Sequence, residues 1–234
     1  MSESEVFLET YLREIGMQTP VSLLDSGAED AARKIEPAQL TETVTVPSLA
    51  LNTLDELSLE AADCRLCGLA DTRKKVVFGV GNPHAEIVFI GEAPGRDEDI
   101  QGEPFVGPAG QLLDRMLDAI ELDRKKIYIM NTIKCRPPNN RDPKSDEVQS
   151  CKLWFEQQLN LLQPKILCLL GRVAAQTVLE TDAPLGSLRG RWHDYNGIPT
   201  WVTYHPAYLL RSPQQKDKSW QDFTVLSHRL LKKT

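Results

Sequence analysis

A chain of 234 residues with 41% hydrophobic and 26% charged side chains holds enough apolar material for a full core, so disulfides are not needed to stabilise it. The longest apolar runs fall well short of the roughly 18 residues a membrane-spanning helix needs, and the acidic start MSESEVFLETYLREIG has no basic or apolar leader region, so a cytoplasmic setting is expected. The net charge of -6 is unevenly spread: residues 1–63 carry 13 acidic and 3 basic side chains and the rest carry 20 and 24, an acidic appendage before a mildly basic body.

In chain order, Val6, Leu8, Leu12 and Ile15 are spaced like one face of a short helix that Gly16 stops. Residues 17–53 show no sustained period and are rich in Thr, Ser, Pro, Ala and Glu, which reads as a linker with too little apolar surface to order itself. A short helix, LDELSLEAADC, leads into the first cysteines, and the domain boundary is placed there: an extension over 1–60 and a body over 61–234. From residue 84 apolar strands alternate with helical patterns. Strands are expected at 87–90, 127–130, 166–170 and 200–204, and helices at 111–122, 148–162, 172–179 and 220–231. Continuous apolar strands separated by helices imply an α/β fold with three α/β/α layers around a mostly parallel four-stranded sheet. Ligands of such sheets bind at the carboxyl ends of strands. That rule selects Gly91–Gly95, Asn131–Arg141 and His205–Ala207.

Five cysteines in a chain without a secretion leader suggest metal or chemistry before disulfides. Cys64 and Cys67 form C-x2-C, and Cys135 and Cys151 make a second, wider pair. Four thiolates suit zinc or an iron–sulfur cluster, although spacing alone also allows Cys135 and Cys151 to be ordinary core cysteines. Cys168 sits inside an apolar strand and reads as a small buried hydrophobe. The glycines of GEAPG form neither a Walker A loop nor G-x-G-x-x-G, and alone would mark only a strand-to-helix turn. His205 differs from the other histidines because it converges on the same sheet edge as Glu92 and Asn131.

Taken together, GEAPG-x3-D-x2-G-x-PFVG-x-AG at 91–110, N-x3-CRPP-x-NR at 131–141, Arg189-Gly190 and YHPAYLLR at 204–211 resemble the uracil-DNA glycosylases of the iron–sulfur type, family 4. The resemblance covers about residues 61–231 and leaves out the acidic extension. It implies that Cys64, Cys67, Cys135 and Cys151 hold a [4Fe–4S] cluster. It implies that Phe105 stacks on a flipped-out uracil, Asn131 reads the uracil edge and His205 meets uracil O2. Glu92 corresponds to a polar residue that handles the attacking water, and Asn140 to a further asparagine at the pocket. In the best known branch of the superfamily an aspartate orients water where this chain has Ala93, and a tyrosine blocks thymine where it has Gly95. Glu98 is the candidate to exclude the 5-methyl group here. The basic loop KRRIH of the covalent branch is missing, so a stable covalent adduct is not expected.

The residue types suit that chemistry. A base inside a duplex must be extruded into a pocket before its glycosidic bond can be cut. An aromatic face such as Phe105 stacks on any base for about 1–3 kcal/mol and does not discriminate. An amide at Asn131 both donates and accepts, which fits uracil and fits cytosine badly. A donor at His205 stabilises charge developing on O2, by about 3 kcal/mol. Lys134, Arg136, Arg141 and Arg211 flank these loops and can meet phosphates, and Leu209 and Leu210 can wedge into the gap left by the base. DNA containing uracil is the expected partner and the monomer the expected state. Two rival classes share some features: a ferredoxin-like electron carrier, which leaves Asn131, His205 and PFVG unexplained, and a nucleic-acid-binding module with structural zinc.

Overall fold

The computed structural model describes residues 53–231. The expected amino-terminal helix and all but the last residue of the linker lie outside the described residues. Helix α1 (Leu54–Ala62) opens the body. Its Thr53 and Glu56 form a reciprocal capping box, and Leu57 and Ala61, four residues apart, bury one face against the cysteine loops and Trp154. The boundary expected between residues 60 and 61 therefore cuts a packed helix, and the compact unit starts at Leu51.

The sheet has six strands among the described residues, in the order β1-β3-β2-β4-β6-β5. The expected four are its centre: β2 (Ile87–Gly91), β3 (Tyr128–Asn131), β4 (Ile166–Leu170) and β6 (Ile198–Thr203), all parallel. The strands β2, β3 and β4 are buried at every position, which is why they read as unbroken apolar runs. The four-stranded expectation is corrected by two short antiparallel edges, β1 (Val80–Gly81) and β5 (Trp192–Tyr195). The β5 strand alternates exposed and half-buried residues, so no apolar run announces it. Its Asn196-Gly197 turn into β6, with both φ positive (51° and 84°), is the hairpin signal the sequence did offer.

Helices α3 (Pro108–Asp118), α4 (Ser145–Leu162), α5 (Arg172–Val178) and α8 (Lys216–Leu231) match the expected helical segments, and α2 (Arg96–Gln101), α6 (Leu185–Leu188) and α7 (Pro206–Arg211) are additional short ones. From β2 the chain moves to β3 on one side and then crosses to β4 on the other. That reversal makes the carboxyl end of β2 a topological switch point. Gly91 pairs with Asn131, and Leu170 with Thr203, so the ends of all four central strands open on one edge.

Candidate active site

Three expected residues meet at this edge. The ring of Phe105 lies on the loop between α2 and α3, and stacks on the His205 imidazole with centroids 5.5 Å apart and planes 28° from parallel. Any side chain at Gly91 would strike Asn131 Oδ1 and would come within 2.8 Å of Phe105 Cζ, so the amide and the aromatic ring converge over a bare strand end. On the far side Gly171, at φ 92°, makes room for His205, whose Cβ would lie 2.8 Å from a side chain there.

The amide is poised rather than satisfied. Asn131 is 2% exposed, yet among the described residues its Oδ1 has no hydrogen-bond partner. An unmet buried acceptor costs about 1–3 kcal/mol, a cost that a bound donor can recover. The histidine is equally specific. Its Nδ1 accepts from the Ala207 N–H at 3.1 Å, so in the neutral ring the proton sits on Nε2. Burial, helped by the Arg211 charge, pushes its pKa down to about 4. His205 is thus a neutral donor at the working pH of a cell.

The Phe105 loop is held under strain. Phe105 itself sits at φ 55°, a left-handed conformation that costs about 1–3 kcal/mol in a non-glycine residue. The Arg124 guanidinium donates to the carbonyls of Phe105 (3.0 Å) and Pro104 (2.8 Å). Glu98 Oε1 accepts from the Val106 and Gly107 N–H groups, both at 3.1 Å. The other Glu98 oxygen lies 2.6 Å from where a Gly95 side chain would begin, so this carboxylate fills the space that Gly95 leaves. Arg124 gave no signal in the sequence because it stands outside every recognisable motif.

Glu92 follows Gly91, the last residue of β2, and is half-buried. Its carbonyl accepts from Thr132 Oγ1 (2.7 Å) and the Ile133 N–H (3.2 Å), which binds the two loops together. Burial and then the charge of Asp142 raise its pKa to about 7, against an opposing effect of Arg172. Asp142 and Arg172 are themselves paired at 2.6 Å. A carboxyl group poised near neutrality suits general-base work.

Several expected contacts are corrected. Lys134 cannot meet phosphate: it is 1% exposed, and its Nζ donates to the Asn131 carbonyl at 2.8 Å. Leu209 is fully buried, because it faces inward from α7, and is no wedge; Leu210 at 43% and Tyr208 at 36% are the exposed apolar side chains of that helix. Arg141 is half-buried and has both arms on Glu147, at 2.8 and 2.6 Å. Asn140 is exposed and its Oδ1 accepts from Arg136 Nε at 2.7 Å. Arg136 is half-buried and Arg211 exposed.

The four cysteines meet on the other side of the NTIKC loop. Cys64, Cys67, Cys135 and Cys151 line one apolar pocket with Leu69 and Val76. Three of the sulfurs take N–H donors: Trp154 Nε1 to Cys64 (3.2 Å), Arg73 to Cys135 (3.4 Å) and the Lys134 backbone to Cys151 (3.3 Å). Burial raises Cys135 to about 11 and Cys151 to about 12, so each proton leaves only when positive charge replaces it. Among the described residues no three His, Cys, Asp or Glu side chains converge on a single ion. Four soft donors line this shared pocket, and N–H groups are aimed at three of the four sulfurs, a donor set of the kind that suits soft metal centres. Cys168 is buried in β4, as expected of a core residue.

The switch point of an α/β sheet thus brings together an aromatic ring, a buried amide and a neutral histidine. Residues 78–224 match the family described as the uracil DNA glycosylase superfamily, and the chain belongs to it. Relatives of two types match: Type-4 uracil-DNA glycosylases over about two thirds of this chain or more, and Type-5 enzymes at lower identity over about half of it. The chain is 42% identical to the Type-4 uracil-DNA glycosylase of Archaeoglobus fulgidus, over 74% of this chain and 91% of that protein. It is 39% identical to the Type-4 uracil-DNA glycosylase of Saccharolobus solfataricus, over 78% of this chain and 89% of the relative. With the Type-4 uracil-DNA glycosylase of Thermotoga maritima it shares 38% identity, over 68% and 84%.

Proposed function

We propose that this protein is a monofunctional uracil-DNA glycosylase that hydrolyses the N-glycosidic bond of flipped-out deoxyuridine and leaves an abasic site, the first step of base excision repair. The unmet Asn131 Oδ1 beside Phe105 and His205 carries the reading, because it is an acceptor waiting for a donor of the right shape, which uracil N3–H supplies. The base stacks on Phe105. Asn131 accepts from N3–H and donates to O4. His205 Nε2–H points its proton at O2, where charge gathers as the bond to the sugar breaks. Glu92 in its ionised form draws a proton from the attacking water and faces the oxocarbenium-like sugar with negative charge. The Glu98 carboxylate, fixed by Val106 and Gly107, closes the space beside Gly95 against a 5-methyl group.

Arg136 and Arg211 meet backbone phosphates, and Leu210 with Tyr208 enters the gap in the stack. Cys64, Cys67, Cys135 and Cys151 hold a [4Fe–4S] cluster that ties α1 and the first cysteine loop to the NTIKC loop; its contribution is to folding. The enzyme acts as a cytoplasmic monomer, and residues 1–52 are an extension outside the chemistry. Single-turnover excision on matched oligonucleotides bearing U, T or C tests the reading: uracil is released, thymine and cytosine are not. A protein that releases no uracil is not this enzyme. The electron-carrier reading would require instead a reversible redox wave with no excision.

A further inference from the structure

Lys134 is a basic residue buried in the body. Among the described residues no carboxylate lies within ion-pair distance of it, and its Nζ stands 5.9 Å over the Phe155 ring. The groups whose charge it feels are the Cys151 and Cys135 sulfurs. Its two ends touch the two functional regions. The backbone N–H donates to Cys151 Sγ at 3.3 Å, and the ammonium donates to the Asn131 carbonyl at 2.8 Å. The residue's own carbonyl is tied to the Val77 N–H at 2.8 Å, so the backbone between these contacts is fixed. Asn131 is the last residue of β3; the N–H of the peptide that follows it, on Thr132, donates to the Gly91 carbonyl at 2.9 Å, while its own carbonyl takes the ammonium.

We propose that Lys134 is a positioning residue that ties the four-cysteine site to Asn131, so that filling that site sets the orientation of the amide that reads uracil. This rests on the uracil reading of Asn131 and on the cluster reading of the cysteines. The ammonium supplies the donor to the Asn131 carbonyl, and its anchor is the segment that carries Cys135 and contacts Cys151. Coupling then runs through one side chain of four carbons.

The test is Lys134→Met, close in volume and without the donor, made in the wild-type and in the Asn131→Ala background. Absorbance near ~400 nm reports the cluster, and thermal melting reports the fold. We expect the coloured, folded Lys134→Met protein to lose roughly tenfold in single-turnover uracil excision, to bind free uracil more weakly, and to narrow its preference for U over C. In the Asn131→Ala background the same change should cost less than about twofold, since the residue acts through the amide. Equal losses in both backgrounds, or unchanged selectivity, overturn the proposal. Should Lys134→Met not hold its colour, Lys134→Arg keeps a donor in reach and is carried through the same cycle. Rescue of selectivity in a coloured Arg protein supports the coupling; a coloured Arg protein whose losses are equal in both backgrounds overturns it. A wild-type protein that is colourless, or that releases no uracil, would instead sink the reading on which the proposal stands.

Discussion

The sheet edge and the cysteine pocket sit on opposite sides of one loop, 131–135, and treat polarity in opposite ways. At the edge, polar and strained groups are left open: Asn131 Oδ1 is unmet, Phe105 stands at φ 55°, and Glu92 is displaced to about 7. At the pocket, three of four sulfurs already take a donor, and Leu57, Ala61 and Trp154 pack around them. A site for a passing guest keeps its unmet groups because the guest repays them during each turnover. A site for a resident group is closed around it once, and its energy goes into the fold. The difference teaches where activity and stability are separable in this molecule.

The sharpest way to break the comparison is at the pocket. Cys135→Ala removes one ligand and also the acceptor of Arg73. We expect the colour near ~400 nm to go and most of the protein to come out insoluble or unfolded, since a structural metal centre is often a condition of folding. A soluble, colourless, fully active variant would mean that the pocket is not closed around anything.

Changes at the edge should leave the fold intact and strike the chemistry. Asn131→Asp puts acceptor against acceptor at uracil O4, and we expect uracil excision to fall by about a thousandfold while weak cytosine excision appears. His205→Ala should slow uracil cleavage by roughly 100- to 1,000-fold, the usual cost of one lost donor to a developing anion, with uracil binding nearly unchanged. One variant changes selection and the other changes rate. Single-turnover rates on U, C and T substrates, set beside uracil affinity, separate them. Wild-type uracil rates in Asn131→Asp would remove the amide from its assigned role.

Glu92 gives a smaller effect with a definite sign. Its carboxyl group is raised to about 7 and works as the base only when ionised. Excision should therefore rise with pH through about 7 and level off above it, dropping about tenfold per pH unit on the acid side. His205, neutral above about 4, adds no second limb near its ordinary 6.5. Glu92→Gln should be slower and should flatten the profile. The sign for stability is opposite: a raised carboxyl pKa favours the folded state below the unfolded value of 4.5, and that contribution is lost as pH rises through about 7. A chemical-denaturation series across that window should show Glu92→Gln losing less stability than wild type.

Much of this was legible in the chain, for physical reasons that differ by element. Strands buried on both faces must be apolar throughout, so β2, β3 and β4 stand out, and their helices follow from spacing. Asn131 ends β3 and His205 caps α7 two residues past the end of β6, so both stood out at one sheet edge, and the resemblance supplied their roles. The edge strand β5 escaped because a half-exposed strand needs no apolar run. Depth was the main failure. Lys134 reads as one more basic residue beside Cys135 and Arg136, and nothing in a string of letters says that one points inward. Leu209 and Leu210 are adjacent and alike, and only the docking of α7 decides which is exposed. Arg124 acts on a loop about 20 residues away, through backbone carbonyls that carry no sequence identity.

The smallest effect is expected where the acidic extension meets the body. Residues 1–63 carry 13 acidic side chains against 3 basic ones, a charge that repels DNA. The packed body begins with the Thr53 cap and Leu57, so a shortened chain must start at or before Asn52 to keep α1 whole. Such a chain should excise uracil within about twofold of the full-length rate at ordinary salt. Below about 0.05 M salt, where charges are felt beyond 10 Å, it should bind DNA more tightly than the full chain. A chain begun at Ala61 should behave differently, because it deletes the capping box and Leu57, which is buried in the apolar cluster with Cys135, Cys151 and Trp154. We expect that shorter chain to melt at lower temperature and to lose its colour on mild heating, while the Asn52 chain does neither. If the Asn52 chain folds and holds its colour but releases no uracil, the extension takes part in the chemistry and the division between edge and pocket is incomplete.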